Sequence, residues 1–123
     1  VIDTLDRIHM LGAKAGLVVN PDEHLALVDP YLSQMDQLLI MSVYPGFGGQ
    51  SYLPGVLTDL PTMLPRLEQN QVLIEIDGGI NVSTIESSAH IGINRFVAGS
   101  AIFNRNASPT DNFNQLQTLI PRN

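Results

Sequence analysis

With 123 residues, 44% hydrophobic and 15% charged, the sequence suffices for one domain or part of one with a sizeable core. A formal net charge of −6 and the absence of a basic run give no general attraction to nucleic acid, and no apolar run is long enough for a membrane-spanning helix. The absence of cysteine excludes a disulfide frame and thiolate metal sites.

The chain opens at Val1, without a Met and in what reads as the middle of a helix, so the N-terminal part of a parent protein is expected to be missing. No targeting segment is visible, and a cytoplasmic location is expected. Leu5, Ile8, His9 and Leu11 recur at helical spacing, which predicts a helix over 4–11 stopped by Gly12. Residues 15–19 form a short apolar run ended by Asn20-Pro21, a predicted strand. A helical pattern over 23–33 follows, with Pro30 disturbing its end. Residues 37–43 are the next apolar run. After a glycine loop, 54–67 reads as a helix broken into two pieces by Pro61 and Pro65. A strand over 72–76, a helix over 82–90 capped by Asn81 or Ser83, and a strand over 94–98 come next. A short helix is expected to open at 99–103, and a terminal one over 110–119.

Strands that alternate with helices at this spacing indicate βαβ units and a parallel sheet. The strands are continuous apolar runs, as expected when both faces of a sheet are covered. Four strand–helix units are half of an eight-fold (β/α) barrel, which takes about 250 residues. A small open doubly wound sheet is the competing architecture.

Three of the apolar runs end in glycine turns: Gly46, Gly48 and Gly49 after 37–43, Gly78-Gly79 after 72–76, and Gly99-Ser100-Ala101 after 94–98. Glycine lets backbone N–H groups approach a ligand with no Cβ in the way. Turns of this kind suit a phosphate. Each feature also has a plainer reading. The loop at 46–49 could be a flexible turn, and Asp77 could cap or form the turn it precedes. Ser100 could cap a helix, and Met41 could belong to the core. His9 and His90 fall on predicted helices and His24 starts one, so all three read as ordinary helix histidines. Glu68, Glu75 and Glu86 read as solvated charges or local ion pairs, although Glu75 lies in a strand.

The motifs Ala15-Gly16 with Asn20-Pro21, Met41-Ser42-Val43, and Pro45-Gly46-Phe47-Gly48-Gly49-Gln50 occur in that order. Glu75-Ile76-Asp77-Gly78-Gly79-Ile80 and Val97-Ala98-Gly99-Ser100-Ala101-Ile102-Phe103 follow. From about Asp6 to Phe103 the chain resembles the C-terminal half of the ribulose-phosphate 3-epimerase family. Tyr44 stands where that family usually has Asn.

The resemblance implies an α/β fold, the C-terminal half of a (β/α)8 TIM barrel. The chain would form a single partial barrel domain over 1–123, without its N-terminal half. It implies a pentose-phosphate isomerase that interconverts D-ribulose 5-phosphate and D-xylulose 5-phosphate. In that family two carboxylates work on opposite faces of C3, and a divalent metal (Zn, Fe, Mn or Co) stabilises the enediolate. Asp77 is implied as a catalytic residue and metal ligand. Gly46, Phe47, Gly48, Gly49, Gly78, Gly79, Gly99 and Ser100 are implied to bind the substrate, and Met41 to pack over the reacting carbon. The two histidine ligands, the other aspartate and an early serine belong to the other half, so this chain alone is expected to be inactive.

The expected partners are a phosphorylated ketose and further copies of the same chain, with no nucleic acid and no membrane. The alternatives are a non-catalytic phosphate-binding or interaction module derived from the barrel, and another barrel enzyme acting on sugar phosphates.

Overall fold

The computed structural model describes residues 1–43 and 57–121. Its elements run in chain order as α1 (Ile2–Met10), β1 (Gly16–Val19), a 3-10 segment (Leu25–Gln34), β2 (Gln37–Met41), α2 (Leu60–Gln69), β3 (Leu73–Asp77), α3 (Ile85–Ile91), β4 (Arg95–Val97) and α4 (Pro109–Leu119). The four strands form one parallel sheet in the order β1-β2-β3-β4, so every strand pairs with its neighbours in sequence and β1 and β4 are the edges. This is the alternation expected of (β/α) units, and it is consistent with part of a TIM barrel.

Register divides the sheet into two faces. Val19, Leu38, Ile40, Ile74 and Ile76 point to the helix side, where they pack with Leu25, Leu60, Leu67 and Ile85 into one buried core. At roughly 25 cal/mol per Å2 of apolar surface removed from water, this layer is the main source of stability. The other face carries three successive rungs: Gly16, Gln37 and Leu73; then Val18, Leu39, Glu75 and Arg95; then Met41, Asp77 and Val97. Val18 is 55% exposed and Val97 40%. Met41 is buried, though outside the helix-side core.

Several elements differ from the sequence-based expectation. The helix expected over 23–33 is a 3-10 segment with Pro30 inside it. Leu25 and Val28, three residues apart, are both buried, which matches three residues per turn, and Pro30 has no N–H for an α-helical bond. The region expected as two helices is a single helix from Leu60 to Gln69. Pro61 sits in its first turn, where N–H groups have no helical acceptor anyway, and Leu60, Met63 and Leu67 anchor the helix across Pro65. Residues 54–56, the start of that expected helix, lie outside the described residues. Neither Asn81 nor Ser83 caps α3: its N-cap residue is Thr84, and the Asn81 carboxamide instead accepts from the Ser83 N–H at 2.8 Å within the preceding turn.

His9 does more than an ordinary helix histidine. Its Nε2 lies 2.7 Å from Asp36 Oδ2, and the same oxygen accepts from the Ala15 N–H at 2.8 Å. Asp36 thereby ties the end of α1 to the start of β1 and β2, at the N-terminal end of the sheet. The Ala15 N–H, and after it His9, hold the Asp36 carboxyl below its ordinary value. A depressed carboxylate contributes stability above its unfolded pKa of about 4, and loses it as pH falls through that value toward the folded one. Asp36→Asn is therefore expected to cost up to about 1 kcal/mol at pH 7, a modest figure because water screens a third-exposed pair. The gap between variant and parent should narrow as pH falls below about 4 toward pH 3. Urea unfolding at the two pH values checks this, and an undiminished gap at pH 3 would refute it.

Candidate functional site at the carboxyl ends of the strands

Parallel strands place all their carboxyl ends on one edge of the sheet, and the loops leaving that edge are where barrels build sites. Ser42 and Val43 leave β2 there, Gly78 and Gly79 leave β3, and Ala98 to Ser100 leave β4. Asp77 is the last residue of β3 and is half-buried. Register puts it in one rung with Met41 on one side and Val97 on the other, all three on the face that the helices leave open. Of the residues singled out in the sequence, Met41, Asp77, Gly78 and Gly79 are thus brought together. Gly99 and Ser100 leave the neighbouring strand end and are exposed. Gly46, Phe47, Gly48 and Gly49, with Tyr44, lie outside the described residues.

The turn after Asp77 depends on its glycines. Gly78 has φ 123° and Gly79 φ 65°, in the region that favours glycine. A Cβ on Gly78 would sit 2.6 Å from Val43 Cγ2 and 2.9 Å from the Val43 backbone nitrogen. The turn therefore packs flush against the residues leaving β2, which no side chain at this position would permit. Thr84 Oγ1 donates to the Gly79 carbonyl at 2.8 Å and secures the far side.

Beyond β4 the structure corrects the expected short helix at 99–103. The segment makes one turn, in which the Gly99 carbonyl accepts from the Ile102 N–H at 3.0 Å and the Phe103 N–H at 2.9 Å. Asn104 Nδ2 then donates to the Ser100 carbonyl at 2.9 Å and closes the turn. A single turn supplies two or three N–H groups but little of the aligned dipole of a helix. Ser100 accordingly caps no helix. A Cβ on Gly99 would meet nothing within 4 Å, so the protein itself does not require glycine there.

Two residues were given no role in the site by the sequence reading. Ser42 is fully buried, its N–H donates to the Asp77 carbonyl at 2.9 Å, and its hydroxyl reaches the carbonyls of Asp77 and Gly78. Glu75, read as a solvated charge or a local ion pair, instead accepts from Gln37 Nε2 at 2.6 Å, and Arg95 Nη1 donates to Gln37 Oε1 at 2.8 Å. This chain crosses three strands on the open face, below Asp77. The only signal in the sequence was a charged residue in the middle of an apolar strand.

His24 and His90 are both exposed. His24 Nδ1 is 3.9 Å from Asp59, and His90 Nε2 is 3.8 Å from Glu86 one helical turn earlier. Among the described residues no three His, Asp or Glu side chains gather as a metal site. Asp77 is the one carboxylate among the described residues that itself ends a strand, and no cluster of metal-ligating side chains forms around it. No helix among the described residues is long and apolar enough to cross a membrane.

A family model described as the ribulose-phosphate 3 epimerase family matches residues 1–103. The chain is 48% identical over 101 residues to the ribulose-phosphate 3-epimerase of Mycobacterium leprae (strain TN), an alignment that covers 78% of this chain and 44% of the relative. It is 43% identical over 104 residues to that of Escherichia coli (strain K12), covering 83% and 46%. To ribulose-phosphate 3-epimerase 1 of Cupriavidus necator it is 43% identical over 106 residues, covering 81% and 44%. The chain spans about half the length of the curated relatives it matches.

Proposed function

The chain belongs to the ribulose-phosphate 3-epimerase family, and from that premise we propose that it forms the C-terminal half of an epimerase active site. The protein would interconvert D-ribulose 5-phosphate and D-xylulose 5-phosphate by moving the proton at C3. The observation that carries this reading is the rung Met41–Asp77–Val97, with a glycine turn directly after Asp77.

Epimerisation through a planar intermediate needs proton transfer on both faces of one carbon. Asp77 supplies one carboxylate at the correct end of the sheet, flanked by apolar side chains that keep the carbon's surroundings dry. The turns at Gly78-Gly79 and Gly99-Ser100 offer backbone N–H groups to the phosphate, joined in this reading by Gly46, Phe47, Gly48 and Gly49. A divalent metal, when bound, would stabilise charge on the enediolate oxygens. Among the described residues Asp77 is the ligand this reading assigns, and the remaining ligands and the second carboxylate would come from elsewhere in the protein.

A cytoplasmic location fits a sugar-phosphate isomerase. Self-association belongs to the same reading, because among the described residues β1 and β4 are the edges of the sheet and the open face carries apolar side chains. Light scattering of the 123-residue chain should show dimers or larger species, and a monomer at every concentration would contradict it.

The reaction itself is tested in deuterium oxide with the full-length protein that contains this sequence. Ribulose 5-phosphate should gain deuterium at C3 as xylulose 5-phosphate appears. Recovery of unlabelled, unconverted substrate would sink the assignment.

A further inference from the structure

The hydroxyl of Ser42 is fully buried, so it must find its acceptor inside the protein. It finds two successive carbonyls, those of Asp77 at 3.2 Å and of Gly78, its closest contact. The Ser42 N–H holds the Asp77 carbonyl as well.

In a trans peptide the carbonyl of one residue and the N–H of the next point in opposite directions, and the described residues contain no cis bond. With the Gly78 carbonyl turned in toward Ser42, the Gly79 N–H is turned away from it. No described backbone group accepts that N–H. The next carbonyl, that of Gly79, is held by Thr84 Oγ1 at 2.8 Å. Between two glycines a peptide plane can rotate at little steric cost. Here the planes on either side of Gly79 are fixed by hydroxyls from two different elements.

The geometry points to Ser42 and Thr84 as a positioning pair. They hold the Gly79 N–H aimed outward at the carboxyl end of the sheet, ready to donate to a phosphate oxygen, and neither touches the anion. This role rests on the proposed phosphate site and adds to it the groups that give it its orientation. A hydrogen bond from N–H to an anion is strong when the donor is already in place, and weaker when a flexible glycine turn must first be ordered.

The test is an NMR titration of the 123-residue chain with inorganic phosphate, following the amides of Gly78, Gly79, Gly99 and Ser100. The parent chain should show saturable shifts with Gly79 among the largest. Ser42→Ala is expected to weaken phosphate binding about tenfold, and Thr84→Val several-fold. Asn94→Ala is the control. It removes a bond of 2.8 Å to the Ile74 N–H at the opposite end of the strands, so it should lower stability and leave phosphate affinity unchanged.

Should Ser42→Ala fail to fold, the Thr84→Val result decides. Unaltered phosphate affinity in a folded Ser42→Ala chain, or in Thr84→Val, would overturn the positioning role and leave the site standing. Equal weakening by Asn94→Ala would reduce the effect to general loss of stability and overturn it too. The absence of any saturable shift in the parent chain would remove the phosphate site, and this role with it.

Discussion

Replacing Gly78 by alanine is expected to destabilise the fold by about 3 kcal/mol or more, enough to leave much of a marginally stable chain unfolded. Two costs add at this one residue. Its φ of 123° is a conformation that L side chains rarely adopt, worth roughly 1–3 kcal/mol on its own. The new methyl would also lie 2.8 Å from Ser42 Oγ and 2.9 Å from the Val43 backbone nitrogen. Neither atom is the free end of a flexible side chain, so β2 and β3 would have to part at their carboxyl ends. Alanine at Gly99 serves as the comparison, since a Cβ there meets nothing within 4 Å. Denaturant midpoints for the two variants should differ widely, and equal midpoints would show that the turn at Gly78 is more pliant than its packing indicates.

Asp77→Asn in the full-length protein is expected to lower kcat about a thousandfold, within the range for loss of a positioned acid or base. The amide is nearly the same size as the carboxylate and keeps the backbone of the turn, so KM should move little. It cannot accept the C3 proton, so deuterium exchange at that carbon should fall with turnover. In the proposed site the phosphate is held by backbone groups, so phosphate binding should survive. The 123-residue chain alone should show no measurable turnover, because in the proposed reaction the second carboxylate comes from outside it. Turnover of the Asn variant within tenfold of the parent would remove Asp77 from the chemistry.

Much of this architecture was legible because the strands are short apolar runs separated by segments of helical period. The position of Asp77 followed from the same pattern: a carboxylate that ends an apolar run just before two glycines must stand at the mouth of a parallel sheet. What stayed hidden was set by neighbours distant in sequence. Nothing near Ser42 indicates that its hydroxyl will meet the carbonyls of Asp77 and Gly78, because that contact exists only after β2 and β3 have paired. Glu75 looked solvated because Gln37 and Arg95, its companions across the sheet, belong to other strands. The pairing of His9 with Asp36 escaped for the same reason. The misjudged helices were local errors. Pro30 was weighed as disturbing the end of an α-helix and Gly99 as opening one, whereas the chain uses the first in a 3-10 segment and the second in a single turn.

The strand order β1-β2-β3-β4 also has a consequence for how the molecule is made. Each strand finds its partner in the unit just synthesised: Gln37 lines up on Gly16, then Leu73 on Gln37, then Arg95 on Glu75. Among the described strands none pairs with a partner distant in the order, so the loop that must close at each step stays short and its entropic cost low. The sheet can therefore lengthen one edge at a time as the polypeptide leaves the ribosome. Each newly added strand becomes the template for the next, and β4 is the last to dock.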